Sequence, residues 1–152
     1  MADAKACAGR VARLREMMAE RGYDAVILRN NPDLRWLTGA ERTFDDEVAH
    51  TAFVTADGQW LHTDSRYYNT FVERLGEDTP WRMDMDIVSP ACWAAQRVLE
   101  TKSRVVAVED SMDLAFFDAF RNECNKASVD CLNPRMHDDI AERLRVVKDE
   151  EE

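Results

Sequence analysis

A chain of 152 residues with 45% hydrophobic composition is long enough to bury one full core, and a single domain is expected. A net charge of −10 argues against a nucleic-acid partner, because nothing in that balance would neutralise a phosphate backbone. No apolar run reaches the roughly 18 residues needed to cross a membrane, and the N-terminal MADAKACAGR lacks the apolar stretch of a signal peptide. The composition reads as that of a soluble, cytoplasmic protein.

The chain alternates helical and extended signals. Ala4, Ala8, Val11, Leu14 and Met18 form one stripe of a helix from about Asp3 to Arg21. Gly22 is placed to cap its end, with Tyr23 packing back over the last turn. Ala25–Leu28 is a short apolar run of the kind found in strands covered on both faces. Asn31-Pro32 restarts a helix, with asparagine at the cap and proline at the first helical position, and Thr38-Gly39 ends it. Residues 40–49, AERTFDDEVA, show no period and read as the longest loop, either a solvated connection or a functional one.

Two apolar runs, Ala52–Thr55 and Gln59–His62, flank Ala56-Asp57-Gly58 and predict a hairpin in which Gly58 supplies a positive φ. Thr63-Asp64-Ser65-Arg66 stops the second strand, and Asp64 or Ser65 can cap a helix bearing Tyr67, Phe71 and Leu75, closed by Gly76. Trp81, Met83, Met85 and Ile87 alternate with polar residues, as in a half-buried strand. Ser89-Pro90 opens a helix with the stripe Cys92, Ala95 and Leu99. Val105–Val108 is a further buried strand, and Leu114, Phe117 and Phe120 mark a helix from about Met112 to Asn122. Ser128–Leu132 reads as a short strand, and Asn133-Pro134 as the start of a last helix bearing Met136, Ile140, Leu144 and Val147. The expected architecture is an α/β layered domain, a mixed five- to six-stranded sheet flanked by helices. A helix still apolar at Val146-Val147 looks cut at the acidic tail that ends in Glu152.

Chemistry is sparse. There is no GxSxG elbow, Walker loop, GxGxxG or HExxH motif. Cys7, Cys92, Cys124 and Cys131 show no CxxC spacing and are expected to be buried and reduced. His50, His62 and His137 are scattered, without the spacing of a zinc site. Asp45-Asp46-Glu47 could hold a hard cation or simply face solvent. Asp138 and Asp139, after His137, point about 100° apart on a helix and cannot share an ion. Asp64 and Arg66, at a helix start, can hold each other or an anion. No catalytic residue and no metal-binding set is assigned to this chain.

Three motifs carry a resemblance. Asn30-Asn31-Pro32-Asp33-Leu34-Arg35-Trp36-Leu37-Thr38-Gly39 resembles the N-x-x-YLTG segment of the N-terminal domain of creatinase, prolidase and aminopeptidase P. Phe53-Val54-Thr55, Asp57-Gly58 and Thr63-Asp64-Ser65-Arg66-Tyr67 are similar to that domain's hairpin and its TD-x-RY signature. Ile140 and Leu144-Arg145-Val146-Val147-Lys148-Asp149-Glu150-Glu151 resemble the LR-x-x-K-x-x-x-E joint that leads into a catalytic domain. Trp36 stands where tyrosine is usual, and Ala40 where phenylalanine is frequent.

The resemblance implies that residues 1–145 are the non-catalytic half of a Xaa-Pro peptidase and that 146–152 begin a linker. The catalytic "pita-bread" domain, with its two divalent metal ions (manganese is expected), would lie beyond. It also implies a homo-oligomer, a dimer or larger, whose N-terminal domains cover the mouth of the catalytic pocket over a peptide substrate. In creatinase-like members the loop after LTG supplies an aromatic and an arginine to a neighbouring subunit's substrate, which points to Arg42 and Phe44 here. A guanidinium suits a substrate carboxylate because it bonds it bidentately. A creatinase-like hydrolase acting on an amidino compound, and a stand-alone binding or assembly module, are the alternatives.

Overall fold

The computed structural model describes residues 4–39, 49–63, 69, 73, 75–76, 78–84, 87–136 and 144. Among the described residues, four helices and six strands follow in the order α1 (Ala4–Arg21), β1 (Ala25–Leu28), α2 (Asn31–Thr38), β2 (Thr51–Thr55), β3 (Gln59–His62), β4 (Arg82–Asp84), α3 (Pro90–Thr101), β5 (Val106–Glu109), α4 (Leu114–Lys126) and β6 (Arg135–Met136). The strands form one mixed sheet in the order β4-β3-β2-β1-β5-β6. β2 pairs antiparallel with both β1 and β3, whereas β3–β4, β1–β5 and β5–β6 are parallel. The mixed α/β sheet expected from the sequence is present.

Both faces of the sheet are covered, and the period of two along each strand divides the core in half. Val26, Leu28, Ala52, Val54, Leu61 and Ala107 pack beneath α1 and α2 with Val11, Leu14, Met18 and Leu34. Ala25, Ile27, Phe53, Trp60 and Val106 pack against Trp93, Ala94, Val98, Phe116 and Phe120 from α3 and α4. Burying each large apolar side chain stabilises the fold by roughly 1.5–3 kcal/mol, which is why β1, β2 and β5 read as continuous apolar runs. At the amino edge, Asp24 accepts from the Arg104 and Val105 amides at 2.9 and 3.0 Å, fastening β1 to β5.

Local signals explain most element boundaries. α1 ends at Gly22 (φ 73°), and the Tyr23 amide bonds the Met18 carbonyl at 2.9 Å. The Ser89 hydroxyl accepts from the Cys92 amide, and Pro90 opens α3. The α2 cap is Asn30 rather than Asn31: its side chain accepts from the Asp33 amide, which puts proline at the second helical position.

The hairpin lies where expected, but Gly58 does not have a positive φ. Thr55 holds the turn, its hydroxyl accepting from the Gly58 amide at 3.0 Å. Glycine is needed for space, because a Cβ there would lie 2.5 Å from the Trp60 ring. Arg15 from α1 closes the turn from outside, donating to the Thr55 and Gly58 carbonyls at 2.8 and 3.0 Å.

Other expectations are corrected. α3 buries Ala91, Trp93, Ala94, Ala95 and Val98; of the expected stripe Ala95 is buried, Cys92 is half-buried and Leu99 is exposed. α4 starts one residue after its cap, Asp113, and runs on to Lys126; it buries Phe116, Phe120 and Cys124 while Leu114 is exposed. Ile87 is fully exposed, beyond the end of β4 at Asp84.

The largest change follows α4. Ala127, Ser128 (φ 58°) and Val129 send their amides back to the Glu123, Asn125 and Cys124 carbonyls. These residues close the helix and form no strand. Pairing with β5 begins at Leu132 and continues through Pro134 to Met136. Asn133 therefore caps no helix: its side-chain Nδ2 donates to the Val106 carbonyl at 3.1 Å. Proline is tolerated because β6 is an edge strand. Of the helix expected after the hairpin, Asn69, Glu73 and Leu75 have helical backbone. Of the last helix, Leu144 does too and packs against the α1 side of the core.

Candidate functional site

The carboxyl ends of β1, β3, β4 and β5 lie along one edge of the sheet together with the start of β2. In open α/β sheets this is the edge at which loops gather around ligands. Charged and polar side chains cluster there, and they form two groups.

The first group surrounds Arg29. Its amide and that of Asn30 donate to the Glu109 carboxylate at 2.9 and 3.0 Å. Its guanidinium lies 4.3 Å from the Phe116 ring centre, donates to the Thr51 hydroxyl at 3.2 Å and pairs with Asp113 at 3.5 Å. Burial lowers the Arg29 pKa, against the charges of Asp113 and Glu109. Burial is also the main influence on Glu109, raising it to about 7 despite the two amides that favour its charged form. Here α2 departs from β1, so the cluster fixes the direction of the chain into the Trp36–Gly39 motif.

The second group surrounds Trp93. Its indole N–H donates to Asp84 at 2.9 Å, and its ring stacks on His62 at 4.9 Å between centroids. Arg97 pairs with Asp84 at 3.6 Å and with Glu100 at 3.1 Å. Beside it, buried His50 bonds through Nδ1 to the Thr63 hydroxyl at 2.9 Å, joining the start of β2 to the end of β3.

The motif singled out in the sequence is a piece of architecture. Trp36 is bracketed by Arg10 and Arg13 of α1, whose guanidinium carbons lie 5.8 and 5.5 Å from its ring, and Arg10 also donates to its carbonyl at 2.8 Å. Leu37 is fully buried. The Thr38 hydroxyl donates back to the Leu34 carbonyl at 2.7 Å, and Gly39 caps the helix at φ 70°. W-L-T-G is thus a helix stop docked on α1. Arg42, Phe44, Asp64, Arg66 and Tyr67, like the acidic run 45–47 and residues 137–139, lie outside the described residues.

Sequence reasoning missed Arg29, Glu109 and Trp93. The available signal was position: Arg29 and Glu109 are the first charged residues after, or at the end of, apolar strands, where the parallel sheet places its carboxyl edge. Among the described residues, no three His, Cys, Asp or Glu side chains are grouped to hold a metal ion, and no helix is long and apolar enough to cross a membrane.

Comparison with known proteins agrees with this architecture. The model of the creatinase/prolidase N-terminal domain family matches residues 10–147. The aminopeptidase P structure from Streptococcus thermophilus superposes with a TM-score of 0.75 at 17% identity, over 92% of this chain and 98% of that one. The N-terminal domain of cytoplasmic peptidase PepQ from Mycobacterium tuberculosis H37Rv gives 0.71 at 18%, over 88% and 96%. The Xaa-Pro dipeptidase from Bacillus anthracis gives 0.77 at 18%, over 96% of this chain but 38% of its own. At such identities the likeness establishes the fold, and this chain spans well under half of that dipeptidase. No curated protein matches. With its family model covering nearly the whole sequence and its sheet shared with these structures, the chain belongs to the creatinase/prolidase N-terminal domain family.

Proposed function

We propose that this chain is the non-catalytic N-terminal domain of a two-domain, metal-dependent Xaa-Pro peptidase of prolidase or aminopeptidase P type. The observation that carries the reading is the superposition on nearly the whole of a PepQ N-terminal domain and on 38% of a longer Xaa-Pro dipeptidase. In this reading residues 1–145 form the supporting domain, and 146–152 begin the connection to a catalytic domain holding two divalent ions. The supporting domain assembles the homo-oligomer and covers the substrate pocket. Arg42 and Phe44, on the segment between Gly39 and Ala49, reach the substrate of a neighbouring subunit. A cytoplasmic setting fits four free cysteines. The peptidase reading is preferred to the amidino hydrolase because the similar structures named above are peptidases of the Xaa-Pro or PepQ type.

The test compares this chain with the full product of its gene, each supplied with manganese and a Xaa-Pro dipeptide. The full product should hydrolyse the peptide and lose that activity on chelation, while the chain alone stays at background. In the full enzyme, Arg42→Ala should raise KM several-fold with the melting temperature unchanged. Hydrolysis by the chain alone, or a full product that cleaves creatine-like compounds and no peptide, would overturn the reading.

A further inference from the structure

At the end of the sheet, β6 turns part of its backbone away from β5. The ladder uses every second residue: the carbonyls of Leu132, Pro134 and Met136 accept from the Val106, Val108 and Asp110 amides, and the Leu132 amide donates to the Arg104 carbonyl. Alternation along the strand therefore points the amides and carbonyls of Asn133 and Arg135 outward. Among the described residues nothing bonds them. Pro134 has no amide to offer β5, and the Asn133 side-chain nitrogen takes its place on the Val106 carbonyl. Arg121 of α4 holds that side chain, donating to its oxygen at 2.8 Å and to the Cys131 carbonyl at 3.0 Å. The edge is thus fixed in the extended form that a further strand needs.

Apolar side chains meet solvent beside it. Leu132 is 70% exposed, and Leu114, two turns before Arg121 on the same flank of α4, is 74% exposed. An open edge with apolar flanks is a template for another strand.

We propose that β6 pairs antiparallel with β6 of a second copy of this chain, across a two-fold axis at Pro134. In this register Asn133 of each copy exchanges amide-to-carbonyl bonds with Arg135 of the other, and the proline falls at a position that needs no outward amide. Moving the axis one residue later would set Arg135 against Arg135 of the other copy, like charges directly opposite. Moving it one residue earlier would require the Cys131 carbonyl, which Arg121 already occupies. The Pro134 register also lays the exposed Leu132 opposite Met136 of the second copy, a residue of the α1-side core. A copy of this chain is the occupant because the edge is complementary to itself. Each outward amide meets an outward carbonyl, each exposed leucine an apolar side chain, and each arginine a neutral asparagine. This gives the homo-oligomer proposed above a surface, and rests on that reading.

The test is sedimentation velocity of the chain from micromolar to millimolar concentration, which should show monomer passing to dimer. Arg135→Pro removes an outward amide that no bond within the chain uses. It should abolish the dimer while leaving the far-UV spectrum and melting temperature of the monomer unchanged. Leu132→Lys changes a solvent-facing side chain and should weaken association several-fold, independently of whether the proline variant folds. On mild oxidation, Pro134→Cys should cross-link to itself between copies, and Leu132→Cys should not. A chain that stays monomeric at millimolar concentration, a dimer that survives both Arg135→Pro and Leu132→Lys, or cross-linking at 132 rather than 134 would overturn the proposal. Dipeptide hydrolysis by the full product is a separate readout: its absence would overturn the peptidase reading, whereas the association measured here would stand.

Discussion

Glu109 is a carboxylate whose partners are two main-chain amides some eighty residues earlier in the chain. Because burial raises it from about 4.5 to about 7, the folded state holds its proton more tightly than the unfolded chain does. Its contribution is complete below about pH 4.5 and is lost as pH rises through 7, by roughly 3 kcal/mol. Denaturant unfolding of the chain from pH 4.5 to 8 should show that fall, and Glu109→Gln should remove it. An equal slope in both proteins would mean that the charge is accommodated. No local pattern marks this residue, because its role depends on the β1–β5 pairing that places the two amides in front of it. Trp36, by contrast, was legible as a motif residue, but its job of docking α2 between two arginines of α1 was not.

At the scale of elements, the hairpin was readable because its signals lie within a dozen residues. Even so, the reason for its glycine was not: the constraint comes from Trp60, held by an edge contact with Phe53 at 5.9 Å and by Arg82 at 5.0 Å from its ring. Gly58→Ala should cost about 1–3 kcal/mol by displacing the indole. In a Trp60→Leu background the same substitution should cost much less, and an undiminished loss would show that the backbone, not the ring, is the obstacle. The stretch after α4 was misread for a related reason. Asn133-Pro134 is a helix-start signal in isolation, but the Val106 and Val108 backbone competes for the same residues and wins through a ladder that local sequence does not reveal. The stripes of α3 and α4 were also misjudged, because Leu99 and Leu114 are apolar residues on the outer side of their helices.

For the whole molecule, alternation of helix and strand was enough to predict a covered mixed sheet. The carboxyl-edge cluster required strand order, and strand order is set by long-range pairing. With both sheet faces buried beneath helices, the chain should fold without further domains and unfold in urea as one cooperative step, with a slope of about 1–3 kcal/mol per molar. Far-UV circular dichroism and amide exchange should give the same stability; a separate early loss of α3 and α4 would show that the layers fold apart. The two-sided core also has an optical consequence. Its four tryptophans are divided evenly, Trp36 and Trp81 on the α1 side and Trp60 and Trp93 on the α3 side, each at most 7% exposed. The protein thus contains a pair of native fluorophores for each layer. Emission from variants keeping only one pair would report separately on how each side of the sheet responds when the domain meets a partner.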